Sequence, residues 1–199
     1  MRLVYLDIIR GFAVILMVVF QTIDAFKLID LYGVPQLYVL SRCWTFMFWL
    51  VAGFSCVLMK RKYPPKKFWL KVGWRFLKFS AVGWFLTLLV PFNIPEPWLY
   101  EAVASIGLNL IFLSFIVALN RIEIFVAGLG VVIALNWFVK LNVLFSPFEV
   151  LSFMLIGAIL AMKPLDIQIR FRPLEFLGRH ALLFYVGHFL IMSVITRIV

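Results

Sequence analysis

The chain is short of charge. Only 14% of its 199 residues are Asp, Glu, Lys or Arg, and just nine of those are acidic. A soluble domain of this length needs a charged surface, and these residues do not suffice to build one. Cysteine and histidine are equally scarce. Cys43 and Cys56 fall in one apolar segment, about 20 Å apart along a helix, which excludes a disulfide between them and leaves them as small packing residues. His180 and His188 lack a nearby Cys, Asp or Glu at ligand spacing, so no metal site is expected. The sequence holds no glycine-rich phosphate loop, no nucleophile elbow, no internal repeat and no low-complexity tract. No basic stretch leads into a short apolar core and a small-residue cleavage site, so a removed signal peptide is not expected.

What is present is apolar. Hydrophobic residues make up 65% of the chain and aromatics 18%, with a mean hydropathy of +1.07. The composition predicts an integral membrane protein of all-α class: a single polytopic transmembrane helical domain over residues 1–199, multi-pass in the cell membrane, with the lipid bilayer as its first partner. A span takes about 20 apolar residues, so the length allows about seven or eight, and about seven are expected.

Seven apolar segments are read at 3–26, 36–59, 72–92, 98–119, 122–139, 148–162 and 177–198. GVP at 33–35 ends the first connection, and KRKYPPKK at 60–67 reads as a rigid basic loop. PFNIPEP at 91–97 has three prolines and cannot continue a helix. LNRIE at 119–123 is a tight hairpin and LNVLFSP at 141–147 a short loop. KPLDIQIRFRP at 163–173 is the longest polar connection, and segment six is short for a full crossing.

Charge sets the orientation. With the N-terminus cytoplasmic and seven spans, 15 of the 19 Lys and Arg residues lie on the cytoplasmic side. Only Lys27, Arg42, Lys140 and Arg197 lie opposite. Lys and Arg collect in cytoplasmic loops, so this is the expected topology. The net charge of +10 is explained the same way. Basic residues do not alternate with polar ones on a soluble face, so no nucleic acid is expected as a partner. The cluster at 60–78 has two readings that do not exclude each other. One is topological, with the positives touching anionic headgroups. The other is a phosphate-rich ligand such as a nucleotide or coenzyme A, met by Lys71, Arg75 and Lys78 at i, i+4 and i+7 on one helix side. Trp69, Trp74 and Trp84 are read as interface anchors.

The first segment is the informative one. LDIIRGFAVILMVVFQTID at 6–24 places Asp7, Arg10, Gln21 and Asp24 in an apolar helix. At about 100° per residue the four share one stripe roughly 100° wide, which must face the interior or a wet cavity. Asp7 and Arg10 pair at i, i+3, and Gln21 lies about 16 Å further along the axis. The stripe therefore offers polar groups at two membrane levels. Two readings stay open: packing glue between helices, or a site. Arg42 opens the second segment, where it can meet Asp24 or Asp30. Glu101, Ser105, Asn109, Asn136 and Glu149 are the other polar groups within segments. In GRHALLFYVGH, Arg179 and His180 are placed at headgroup level and His188 about 12 Å deeper.

LDIIRGFAVILMVVF at 6–20 resembles the first helix of transmembrane acyltransferases, in particular the branch containing the catalytic domain of heparan-α-glucosaminide N-acetyltransferase and its small prokaryotic members. LGRHALLFYVGHFLI at 177–191 is similar to that branch's last helix, and FMFWLVAGFSCVLMKRK at 46–62 also has the family look. The resemblance implies transfer of an acetyl or acyl group from acyl-coenzyme A (acetyl-CoA) on one side to a sugar or glycoconjugate acceptor on the other. It implies a histidine in the bundle as general base or acyl carrier. Carried onto this chain, Asp7, Arg10, Arg75 and Lys78 frame the coenzyme, while Gln21, Asp24 and Arg42 line the acceptor side. Relatives in the small branch carry a His where this chain has Gln21, and another where Ala104 precedes SIG. An amide cannot act as a general base, so His188 is the remaining catalytic base, with Asp24, Arg42 or Glu101 to help it. The expected function is a membrane acyltransferase-like protein. Alternatives are a non-enzymatic member that keeps the fold and binds coenzyme or a membrane partner, and a small-solute or lipid transporter. A homo-oligomer is compatible with all three.

Overall fold

A computed structural model describes residues 3–29, 35–89, 98–119, 121–138, 147–163 and 169–198, and all regular structure among them is helical. The helices are α1 (Val4–Ala25), α2 (Pro35–Lys62), α3 (Pro65–Leu89), α4 (Trp98–Leu119), α5 (Ile122–Phe138), α6 (Pro147–Met162), α7 (Arg172–Arg179) and α8 (Ala181–Ile198). Among the described residues, α1 and α2 are long and apolar enough to cross a membrane; shorter apolar stretches lie in α4, α5, α6 and α8.

Most segment boundaries agree with the periodicity, and three differ. Residues 60–67 are not a loop. α2 runs to Lys62 and α3 starts at Pro65, leaving Tyr63 and Pro64 as the whole corner. The prolines that suggested a break instead start a helix: Pro65 sits at the first helical position, where its missing N–H costs nothing, and Phe68 N donates to Pro64 O at 2.9 Å. Lys60, Arg61 and Lys62 occupy the last turn of α2, where cations suit the helix dipole. Second, the polar connection ends earlier than expected, because α7 begins at Arg172 with Pro173 in its first turn. Third, segment 177–198 is not one helix. It breaks at His180 (φ −106°, ψ 19°) without a proline or a positive φ, so the sequence carries no signal for the break. The loops at 91–97 and 141–146, the connection through 33–34, and Asp30 lie outside the described residues, as do the side chains of Glu101, Ser105 and Asn136.

The chain divides into two compact units, 1–48 with 166–199, and 49–165. In the first, α1 packs on α7 and α8. Leu6, Ala13, Val14, Met17 and Phe20 are buried on α1, while Phe12, Ile15 and Val19 are exposed on its other side. α1 closes with Leu28 N donating to Ile23 O and Lys27 N to Asp24 O. This paired closure needs a left-handed residue, and Lys27 fills it at φ 48° where glycine is usual.

In the second unit α3 packs on α4, α4 on α6 and α5 on α6. The ring of Trp69 lies 4.9 Å from Phe115 of α4 and 5.3 Å from Phe68. Trp74 and Trp84 are exposed. Cys56 is buried and free. Ser114 Oγ gives its one proton to Leu110 O at 2.6 Å, so the Cys56 thiol donates to Ser114 Oγ at 3.4 Å.

The same device joins helices in each unit. A Cβ on Gly11 of α1 would strike the Leu174 carbonyl of α7, and one on Gly178 of α7 would strike the Asp7 carbonyl of α1. In the second unit Gly53 of α2 lies on the Met154 carbonyl of α6, and Gly157 of α6 on the Leu50 carbonyl of α2. Each crossing is reciprocal and antiparallel, with one glycine on each helix. Small residues that let backbones approach are the usual means of packing helices in lipid, where burial of apolar surface contributes little.

Candidate functional site

The site grows from the polar stripe of α1. Setting Arg10 at zero on the helical wheel puts Asp7, Val14, Met17, Gln21 and Asp24 within about 60° of it, and Phe12, Ile15 and Val19 roughly opposite. The burial follows this division. Asp7 is 5% exposed, and Val14 and Met17 are buried; Arg10, Gln21 and Asp24 are half-buried. The stripe faces inward and the apolar side outward, as an amphipathic helix in lipid requires.

Asp7 and Arg10 form the expected pair, with Arg10 Nη1 donating to Asp7 Oδ1 at 3.2 Å. A second pair stands beside it. On α7, Arg179 Nη2 donates to Glu175 Oε2 at 3.3 Å, and Glu175 is buried at 9% exposure. The glycine crossing brings the two pairs to one place. Gly178, next to Arg179, rests on the Asp7 backbone, and Gly11, next to Arg10, rests on Leu174, next to Glu175. The two stretches that carry the family resemblance, at 6–20 and 177–191, therefore meet at this crossing. Sequence reasoning missed Glu175. Its i, i+4 spacing to Arg179 is the available signal, masked by the polar connection at 163–173 and the apolar segment from 177 on either side of it.

Gln21 and Asp24 lie near the other end of α1, three residues apart on the inward stripe. Arg42 is half-buried on α2 in the same unit. His188 is half-buried on α8, and its Nε2 is buried without a hydrogen-bond partner among the described residues. An orphaned imidazole nitrogen in the interior carries a desolvation cost that a bound polar group would relieve. His180 is exposed and rests its ring on Phe176 at 4.8 Å.

Arg75 and Lys78 belong to the second unit. They share a side of α3 with Lys71, as the spacing predicted, but their surroundings differ. Arg75 is half-buried, within electrostatic reach of Cys56 and Tyr63. Lys78 is exposed beside Trp74 and Leu77. Among the described residues no group of three or more His, Cys, Asp or Glu side chains could hold a metal ion.

Comparison with known proteins supplies the family. The model of the heparan-alpha-glucosaminide N-acetyltransferase catalytic family matches residues 2–158. The matched stretch includes Asp7, Arg10, Gln21, Asp24, Arg42, Arg75 and Lys78; α7 and α8, with Gly178 and His188, follow it. No curated protein and no solved structure gives a significant match. An all-helical apolar chain, whose paired Asp7 and Arg10 face inward and whose matched span covers most of its length, belongs to the heparan-alpha-glucosaminide N-acetyltransferase catalytic-domain family.

Proposed function

We propose that this chain is a multi-pass membrane acetyltransferase of about seven spans with a cytoplasmic N-terminus. It takes the acetyl group of acetyl-CoA at the cytoplasmic face and delivers it to a sugar or glycoconjugate on the other side. The observation that carries this reading is the inward polar stripe of α1, which offers a charged pair at one level and Gln21 with Asp24 about 16 Å away at the other, within the span matched by the family. At eight residues, about 12 Å, α7 is too short to cross and fits an interfacial position.

The division of labour follows the chemistry of each group. Asp7 and Arg10 frame the coenzyme mouth. Arg75 and Lys78, carried over from the family resemblance, are the cations assigned to coenzyme phosphates. His188, neutral at Nε2, takes the proton of the acceptor hydroxyl or amine as that group attacks the thioester carbon. The C–S bond breaks and the coenzyme leaves as a thiolate, which is then protonated. Asp24 and Arg42 orient the imidazole and the acceptor, and Gln21 contributes hydrogen bonds but no proton transfer.

One feature of the sequence favours a second reading, a family member that binds coenzyme without turnover: an amide, Gln21, stands where the family resemblance implies an imidazole. Radiolabelled acetyl transfer from acetyl-CoA to a panel of amino sugars and glycans, in membrane vesicles holding the chain, separates the two. Transfer that disappears in His188→Ala supports the enzyme. Coenzyme binding without any transfer supports the second reading.

A further inference from the structure

The α2–α3 corner gathers positive charge without an acid among the described residues to balance it. The ammonium groups of Lys71, Lys67 and Lys62 lie 4.7, 5.4 and 5.6 Å from the centroid of one ring, that of Tyr63. Cation–π attraction contributes roughly 0.5–1 kcal/mol at an exposed site, and three like charges around one ring repel one another. None of the three lysines has a carboxylate partner among the described residues. Two neighbours are already engaged. Lys60 lies over the Phe68 ring at 5.8 Å, and Arg61 Nη2 donates to the Met162 carbonyl at the end of α6 at 3.0 Å. The free positive charge is therefore that of exposed Lys66 and of Lys62, Lys67 and Lys71, the last three gathered at one ring, and the missing component is an anion.

The surface beyond the corner indicates which anion. Lys67, Leu70, Trp74 and Leu77, at i, i+3, i+7 and i+10, lie on one side of α3. Leu70, Trp74 and Leu77 are 74%, 68% and 58% exposed. A cationic cup thus opens onto an apolar strip about 10 Å long running up the same helix. A free phosphate would fill the cup and leave the strip bare. A phosphate carrying long acyl chains covers both.

We propose that the α2–α3 corner is a binding site for one anionic phospholipid, its headgroup phosphate held by Lys62, Lys67 and Lys71 around Tyr63 and an acyl chain laid along Leu70, Trp74 and Leu77. Long basic side chains at a span's end stand at headgroup depth, and indole is favoured at the membrane interface. The site rests on the membrane-spanning reading and is independent of acetyl transfer. Arg75 and Lys78, assigned above to the coenzyme, are not part of it.

The test uses the full chain purified in neutral detergent, with native mass spectrometry and thermal unfolding as readouts. Ligands are phosphatidylglycerol, phosphatidylcholine, inorganic phosphate and coenzyme A. Phosphatidylglycerol is expected to bind as a retained adduct and raise the unfolding midpoint, while phosphatidylcholine and phosphate do neither. Each Lys→Gln substitution at 62, 67 or 71 should weaken phosphatidylglycerol binding about fivefold, and the triple variant on the order of a hundredfold. Arg61→Gln, which removes an equal charge already engaged at α6, should change binding less than any of the three. The circular dichroism of each variant shows whether its fold is kept. Equal binding of phosphatidylglycerol and phosphatidylcholine overturns the site, as does undiminished binding by a folded triple variant. Coenzyme A binding that is lost in the triple variant while phosphatidylglycerol binding persists assigns the cup to the coenzyme and overturns the lipid. Detection of the chain in carbonate-washed membranes tests the spanning reading separately, so failure of the lipid site is distinguishable from failure of the topology.

Discussion

Gly178 of α7 lies directly on the backbone carbonyl of Asp7, the residue whose carboxylate holds Arg10. The contact joins the last motif of the chain to the first, and it leaves no room for a side chain. Gly178→Ala places a methyl against a backbone oxygen that cannot rotate away, so the helices must part. The expected loss is about 1–3 kcal/mol, net of the gain in helix propensity. Gly130→Ala on α5, where a Cβ meets nothing, should be neutral or stabilising by up to about 1 kcal/mol. Thermal unfolding of the purified variants in detergent checks both directions.

Gly53 and Gly157 form the corresponding crossing in the second unit, each on the other helix's backbone. Either alanine substitution should separate α2 from α6 and cost about 1–3 kcal/mol. Because one separation relieves both clashes, the double variant should lose clearly less than the sum of the singles. A double-mutant cycle by chemical denaturation measures the coupling, and simple additivity contradicts the shared contact.

The Asp7–Arg10 pair supports a cycle of its own. Asp7→Asn leaves the Arg10 guanidinium in the interior facing an amide instead of a carboxylate, at an expected cost of about 2 kcal/mol. Arg10→Gln takes the guanidinium away from the buried Asp7 carboxylate and should cost at least as much, since Asp7 is the more buried partner. The double variant D7N/R10Q should recover part of the loss, because both charges are then removed from the interior together. Unfolding midpoints of the three variants test this order.

Lys27 ends α1 in a left-handed conformation at φ 48°. Lys27→Gly removes the clash of its Cβ with the backbone and should stabilise the chain by about 1 kcal/mol, with no effect on the paired closure to Asp24 and Ile23. A fall in the unfolding midpoint would contradict the assigned closure.

The readable and unreadable parts of the sequence divide along physical lines. The stripe of α1 was legible because helical periodicity alone puts Asp7, Arg10, Gln21 and Asp24 on one side, and charge in lipid has to face inward. The end of α4 at Leu119 and the start of α5 at Ile122 were legible from the polar residues that interrupt two apolar runs. The corner at Tyr63 was not, because prolines mark a helix start as often as a break, and only the structure shows Pro65 at the first position of α3. The break at His180 has no local cause. The crossings at Gly11 and Gly178, and at Gly53 and Gly157, depend on which helices meet, which no local pattern records. Glu175 offered only its i, i+4 spacing to Arg179; its burial comes from α7 lying on α1, which that spacing does not show.

The central claim is that this chain uses acetyl-CoA, and equilibrium binding of acetyl-CoA to the purified protein tests it most directly. Saturable binding at one site per chain is predicted, weakened at least tenfold when the charges of Arg75 and Lys78 are removed together as R75Q/K78Q, and unchanged in His188→Ala. The absence of binding to the folded parental chain would contradict the claim.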